Sequence, residues 1–107
     1  MKISIITVCF NSQQTIKATI KSVLNQSYKQ VEYIIIDGAS TDNTIKIINE
    51  FSNSIDVFVS ESDAGIYDAI NKGISKSSGD VIGLLHADDI FAAATLSLYL
   101  EKNGEIV

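Results

Sequence analysis

Ile3-Ser4-Ile5-Ile6-Thr7-Val8-Cys9 is a β-branched and nearly continuous apolar run. A strand so composed is suited to burial on both faces, as in a parallel sheet covered by helices on each side. Tyr33 to Ile36, Ile55 to Val59 and Val81 to Leu85 repeat the pattern, which predicts strands over 3–9, 33–37, 55–60 and 81–85. Between them the period changes from two to that of a helix. Ile16, Ile20, Val23 and Leu24 share one helical face, with Asn11 and Gln14 placed to form a capping box. Ile45, Ile48 and Phe51 mark a second helix, preceded by the cap oxygens of Ser40, Thr41 and Asp42. Ile66, Ala69, Ile70 and Ile74 make the stripe of a third. A fourth helix is expected from about Ala92 to Lys102, ended by Asn103-Gly104, with Glu105-Ile106-Val107 opening a fifth strand. The alternation implies an α/β fold of three layers: a mainly parallel, Rossmann-like sheet with right-handed crossovers and helices on both faces.

The 107 residues suit one domain, and an apolar fraction of 46% against 20% charged residues is that of a globular protein with a real core. Eight basic against thirteen acidic residues give a net charge of -5. With the lysines scattered, this argues against nucleic acid or anionic lipid as partners. No apolar run approaches the length of a membrane span. A lone cysteine, Cys9, permits no internal disulfide, so the cytoplasm is the expected compartment, with a place at the membrane periphery open to a longer protein.

In an open parallel sheet the ligand lies beyond the carboxyl ends of the strands. Those ends carry Phe10-Asn11, Asp37 to Asp42, Glu61 to Gly65, and His86-Ala87-Asp88-Asp89, so five aspartates, a glutamate and the single histidine converge on one edge. Carboxylates without cysteine partners make a hard-oxygen site, apt for Mg²⁺ or Mn²⁺ shared with a phosphate. Asp42, beside a helix start, reads first as a cap. Asp88 and Asp89 repel each other unless a cation lies between them, and read as functional. Asp63, before Gly65, suits a turn as well as a ligand. A receiver domain would need an acidic pair after strand one, where Cys9-Phe10-Asn11 stands, and a dinucleotide fold would need glycines that the first turn lacks.

Asp37-Gly38-Ala39-Ser40-Thr41-Asp42-Asn43-Thr44 resembles the Asp-Gly-Ser-Ser-Thr-Asp-Xaa-Thr signature of the family 2 glycosyltransferases. Ile5 to Asn11, Gly65 to Ile74, Gly79-Asp80 and Leu84 to Asp89 continue the likeness in order over nearly the whole chain. The resemblance implies a GT-A fold, a nucleotide-diphosphate sugar donor (a UDP-sugar favoured), a divalent metal, and transfer with inversion at the anomeric carbon. By position it places Thr7, Cys9, Asn11 and Asp37 around the base and ribose, with the Asp37 carboxylate accepting the uracil N3–H. Asp88 corresponds to the last acid of the family's metal-binding Asp-Xaa-Asp, with Asp89 assisting. His86 replaces the first acid and is left to bond ribose or phosphate. Ile70 stands where many relatives carry arginine, so Lys72 is the candidate positive charge near the donor, and Asp63 is within reach of the nucleotide. No residue offers itself as the catalytic base. The expected domain is therefore a nucleotide-sugar-binding portion, 1–107, truncated before the part that holds a saccharide or lipid-linked acceptor, and prone to self-association through an exposed sheet edge. The alternative is a non-catalytic nucleotide-binding or interaction module of the same fold.

Overall fold

A computed structural model describes residues 2–26 and 28–87. The expected fourth helix, the opening of a fifth strand and the Asp88-Asp89 pair lie outside the described residues. Four strands, β1 (Ile3–Cys9), β2 (Val31–Asp37), β3 (Val57–Ser60) and β4 (Val81–His86), alternate with the helices α1 (Ile16–Leu24), α2 (Thr44–Asn49) and α3 (Ile66–Lys76). All pairings are parallel, in the order β3-β2-β1-β4.

Strand parity divides the core into two. Ile3, Ile5, Cys9, Tyr33, Ile35 and Leu85 face Ile16, Ile20 and Val23 of α1 and Ile48 of α2. Ile6, Val8, Ile34 and Ile36 face Ala69 of α3. Every residue of β1 is buried, as its unbroken apolar composition requires of a central strand with helices on both sides.

The strand boundaries move by up to two residues from those expected. Strand β2 begins at Val31, because Glu32, a charged residue that breaks the apolar pattern, is held in the strand by hydroxyl and amide donors. Strand β3 begins at Val57, after a 3₁₀ turn at Ser52–Ser54, and there Asp56 accepts the Tyr33 N–H through its side chain at 2.7 Å. The helix faces also differ. Leu24 is exposed, and Thr19 joins Ile16, Ile20 and Val23 in the buried face of α1. In α3, Ile66 and Ile74 are exposed, whereas Ala69 and Gly73 are buried. Small residues let this helix approach the sheet closely: a Cβ on Gly73 would stand 2.5 Å from Ile6 Cγ2. The capping box does not form. Asn11 Oδ1 accepts from the Thr41 and Asp42 amides at 2.8 and 3.4 Å, and α1 starts at Thr15 without a side-chain cap.

At the amino ends of the strands, Glu32 accepts the Ser4 hydroxyl at 2.7 Å and the Ser78 amide and hydroxyl at 2.9 Å each, with Lys2 Nζ 3.5 Å away. Gly79 completes this clamp, since a Cβ there would meet the Ser4 backbone nitrogen at 2.7 Å. The α3–β4 turn is thereby fixed to β1 and β2, leaving the opposite end of the sheet for ligands.

Candidate functional site

The strands end level with one another. Cys9 pairs with Asp37, Asp37 with Ser60, and Val8 with His86. The chain runs outward from β1 through β2 to β3, then crosses back by way of α3 to the far side of β1. That reversal makes the β1/β4 crevice the topological switch point, where open α/β sheets bind ligands. A cleft of about 540 Å³ opens there, lined by Phe10, Asn11, Gln14, Asp63, Ile66 and His86 among others. Its size suits a small-molecule or cofactor site.

The β1–α1 loop that forms one wall is laced to the β2–α2 loop. Besides the Asn11 carbonyl bonds, Asn11 N–H donates to Ser40 Oγ at 2.8 Å, Ser12 N–H to Thr44 Oγ1 at 2.7 Å, and Asn43 N–H to Gln13 Oε1 at 3.1 Å. Asp42 lies two residues before α2, whose N-cap is Asn43, and accepts the Thr44 amide at 2.9 Å and the Thr44 hydroxyl; desolvation raises its carboxyl, but these bonds more than offset it and hold the group below its usual range. The lacing holds Asn11 and Ala39 at φ 47 and 64, left-handed conformations uncommon outside glycine.

Asp37 is fully buried behind this wall. Its oxygens accept the Ser40 amide at 2.9 Å, the Ser40 hydroxyl, the Ser60 hydroxyl at 2.8 Å and the Cys9 thiol at 3.3 Å. Burial, followed by the charge of Asp37, pushes the Cys9 thiol far up, so it remains protonated and serves as a small apolar filler with one donor. Thr7 is also enclosed, bonded to the Tyr33 hydroxyl at 2.9 Å. Neither Thr7 nor Asp37 lines the cleft.

The facing wall is the β3–α3 loop. Gly65 sits at φ 112, which an L side chain rarely adopts, and turns the chain into α3. Asp68 accepts the Ala64 amide at 2.9 Å. Lys72 donates to the Ser62 carbonyl at 3.1 Å and pairs with Glu61 at 3.3 Å and Asp68 at 3.5 Å. Lys72 is thus engaged by Glu61 of the loop and Asp68 of α3 and is not part of the cleft lining, whereas Cys9, Asn11, Asp63 and His86 are. Sequence reasoning did not nominate Phe10, which lines the cleft while 61% exposed. A bare aromatic side chain at a strand's carboxyl end, next to the asparagine already singled out, was the available signal.

Among the described residues, no three His, Cys, Asp or Glu side chains gather as a metal site, and the cleft lining contains no Lys or Arg. A phosphate entering it meets no lysine or arginine of that lining. The carboxylates that follow β4 in sequence are of the hard-oxygen type that Mg²⁺ or Mn²⁺ takes beside phosphate.

Residues 4–104 match the family model for glycosyl transferase family 2. The chain belongs to that family. A relative named UDP-Glc:alpha-D-GlcNAc-diphosphoundecaprenol beta-1,3-glucosyltransferase WfgD, of Escherichia coli, is 37% identical over 99 residues, 92% of this chain and 39% of its own. TarS 1-349 of S. aureus in complex with UDP-GlcNAc superposes with a TM-score of 0.83 at 19% identity, covering 97% of this chain and 32% of that one. The mannosyltransferase PcManGT of Pyrobaculum calidifontis, in complex with GDP-Man and Mn2+, gives 0.80 at 21% identity, covering 87% of this chain and 29% of that one. These likenesses establish the GT-A fold for this family 2 chain. It spans about a third of the length of the curated relatives it matches.

Proposed function

We propose that this family 2 chain is the donor-binding portion of a longer glycosyltransferase, holding a nucleotide-diphosphate sugar, with a UDP-sugar favoured, for inverting transfer to a saccharide or lipid-linked acceptor. The carrying observation is the cleft at the β1/β4 switch point, walled by Asn11 and Phe10 on one side and Asp63 on the other, with His86 at the end of β4. The donor preference draws support from the named activity of WfgD and from the UDP-GlcNAc bound to TarS, and the metal from the Mn2+ beside GDP-Man in PcManGT.

Asn11 and the Cys9 backbone bound the nucleoside side of the cleft, and His86 is placed to bond ribose or phosphate. Asp88, with Asp89, would hold Mg²⁺ or Mn²⁺. The metal, when bound, supplies the positive charge that stabilises the departing diphosphate. Thr7, Asp37 and Lys72 act from behind the walls, keeping the two loops in register. The acceptor and the general base that inversion requires fall to other parts of the longer enzyme.

A thermal-shift panel of nucleoside diphosphates and their sugars, with and without Mn²⁺, tests this reading. A ligand at a hundred times its Kd stabilises by about 2.7 kcal/mol, which raises Tm by several degrees in a domain of this size. UDP and UDP-sugars should do so, more strongly with Mn²⁺, and Asp88→Ala should remove the metal increment while leaving the metal-free response. An equal response to metal from wild type and Asp88→Ala would refute the assignment of Asp88.

A further inference from the structure

We propose that the apolar groove between α3 and β4 is the seat of this chain's own residues 92–102, which pack there as a helix with Leu96, Tyr99 and Leu100 turned toward the sheet. This packing does not depend on the nucleotide reading above.

The two flanks of α3 differ. Ala69 and Gly73 make its contact with the sheet. On one flank Asp68 and Lys72 bond the loop that follows β3. On the other, Ile66, Ile70 and Ile74 form a stripe at four-residue spacing. Ile66 lines the β1/β4 cleft together with His86, which puts that stripe on the β4 side. Strand β4 presents Ile82 and Leu84 on the same face of the sheet, since Leu84 pairs in register with Ile6. The helix lies over β1 and β2, so the strip above β4 is left open: Ile66, Ile74 and Leu84 are 46%, 43% and 39% exposed. A parallel sheet is ordinarily covered on both faces, and a contiguous aliphatic surface marks the place of a missing cover.

Topology selects the occupant. Helices α1 and α2 cover one face while the chain steps from β1 to β2 to β3, and α3 covers the other on the step back to β4, as right-handed crossovers require. Beyond β4 there is no strand among the described residues. A further right-handed step outward from β4 keeps the direction of the last one, and so returns on the face of α3, over Ile82 and Leu84. The chain has the length for it. Residues 88–107 follow β4, and a parallel crossover takes about a dozen residues or more. A helix over 92–102 runs about 16 Å, close to the roughly 20 Å of the six residues of β4, and in that register Leu96 comes opposite Leu84. Composition agrees as well. Residues 90–100, Ile-Phe-Ala-Ala-Ala-Thr-Leu-Ser-Leu-Tyr-Leu, carry no charge, to match a groove that carries none, and Glu101-Lys102 ends the stretch.

Maleimide labelling of cysteine substitutions in the 107-residue chain tests this packing. Cys9 is the one native thiol, buried and with its pKa pushed far up, so it labels on unfolding and reports whether each variant is folded. Leu84→Cys should label about tenfold more slowly than Lys17→Cys, an exposed position on α1 across the sheet, because only local opening uncovers it. Ile74→Cys, on the other wall of the groove, should be protected alike. Adding Leu96→Ser and Leu100→Ser to Leu84→Cys should raise its rate to that of Lys17→Cys while Cys9 stays unlabelled. Where that double change unfolds the chain, the milder Leu96→Ala should still speed labelling several-fold. Leu84→Cys and Ile74→Cys that label as fast as Lys17→Cys from the outset would overturn the proposal, since the groove is then open in this chain. Protection that grows with protein concentration would assign the groove to a second copy, and protection untouched by the changes at 96 and 100 in folded chains would assign it to another segment. Either result also overturns it.

Discussion

Single carboxylates in this chain differ in what their neighbours make of them, and Glu32 shows how far that goes. Burial opposes its charge, but the Ser78 amide, the Ser4 and Ser78 hydroxyls and the Lys2 ammonium more than offset this, bringing its carboxyl from 4.5 to about 2. A carboxyl whose folded value lies below its unfolded one contributes stability above the unfolded value and loses it as pH falls through the folded one. The Glu32 contribution should therefore be complete above about pH 4.5 and lost between there and about pH 2. Glu32→Gln should cost about 1–2 kcal/mol at neutral pH, given charged hydrogen bonds that water partly screens. Urea unfolding across this range should show the gap between variant and wild type closing toward pH 2, and a gap that stays constant would contradict the assignment. The same dependence on neighbours limited the reading of the site. Asp37 and Asp63 look alike in sequence, each followed within two residues by glycine. The difference is made by Ser60, brought level with Asp37 by the β2/β3 register, and by the space beside Gly38. Neither is a property of local sequence.

Strands were more legible than helix faces, for a physical reason. A strand buried on both sides writes its burial as an apolar run, so β1 was readable end to end, while Glu32 and Asp56 blurred the starts of β2 and β3 because the donors that compensate their carboxylates lie on other segments. A helix writes its burial as large apolar side chains, unless it approaches the sheet through small ones. In α3 that exception holds, and Ile66 and Ile74 misled where Ala69 and Gly73 make the contact. Helix propensity alone favours Gly73→Ala by about 1 kcal/mol. The added methyl would stand 2.5 Å from Ile6 Cγ2 on a fully buried central strand, and overpacking of this kind costs about 1–3 kcal/mol. Gly73→Ala should therefore be net destabilising. In a double-mutant cycle with Ile6→Ala, the alanine at 73 should be less harmful once Ile6 is trimmed, giving a coupling of about 0.5 kcal/mol or more. Strict additivity would show that α3 can shift away from the sheet at no cost.

For the molecule as a whole, charge bears on function more than any one contact does. The net charge is -5, the cleft lining offers no Lys or Arg among the described residues, and Lys72 and Lys2 are each paired with acids of the chain. A nucleoside diphosphate is itself strongly anionic, so without a divalent cation it approaches a surface of its own sign. Salt screens such repulsion over a Debye length that shortens from about 30 Å at 0.01 M to about 10 Å at 0.1 M. Metal-free binding of UDP should therefore tighten, by about two- to threefold, when monovalent salt is raised across that range, the reverse of what a basic phosphate site shows. With Mn²⁺ present the trend should flatten or invert, because the ligand then meets a local positive charge that salt screens in turn. Calorimetry at constant pH over a series of NaCl concentrations, with chelator or with Mn²⁺, reads both slopes. Metal-free affinity that falls steeply with salt would mean that lysines reach the phosphates, and would return Lys72 from the loop to the ligand.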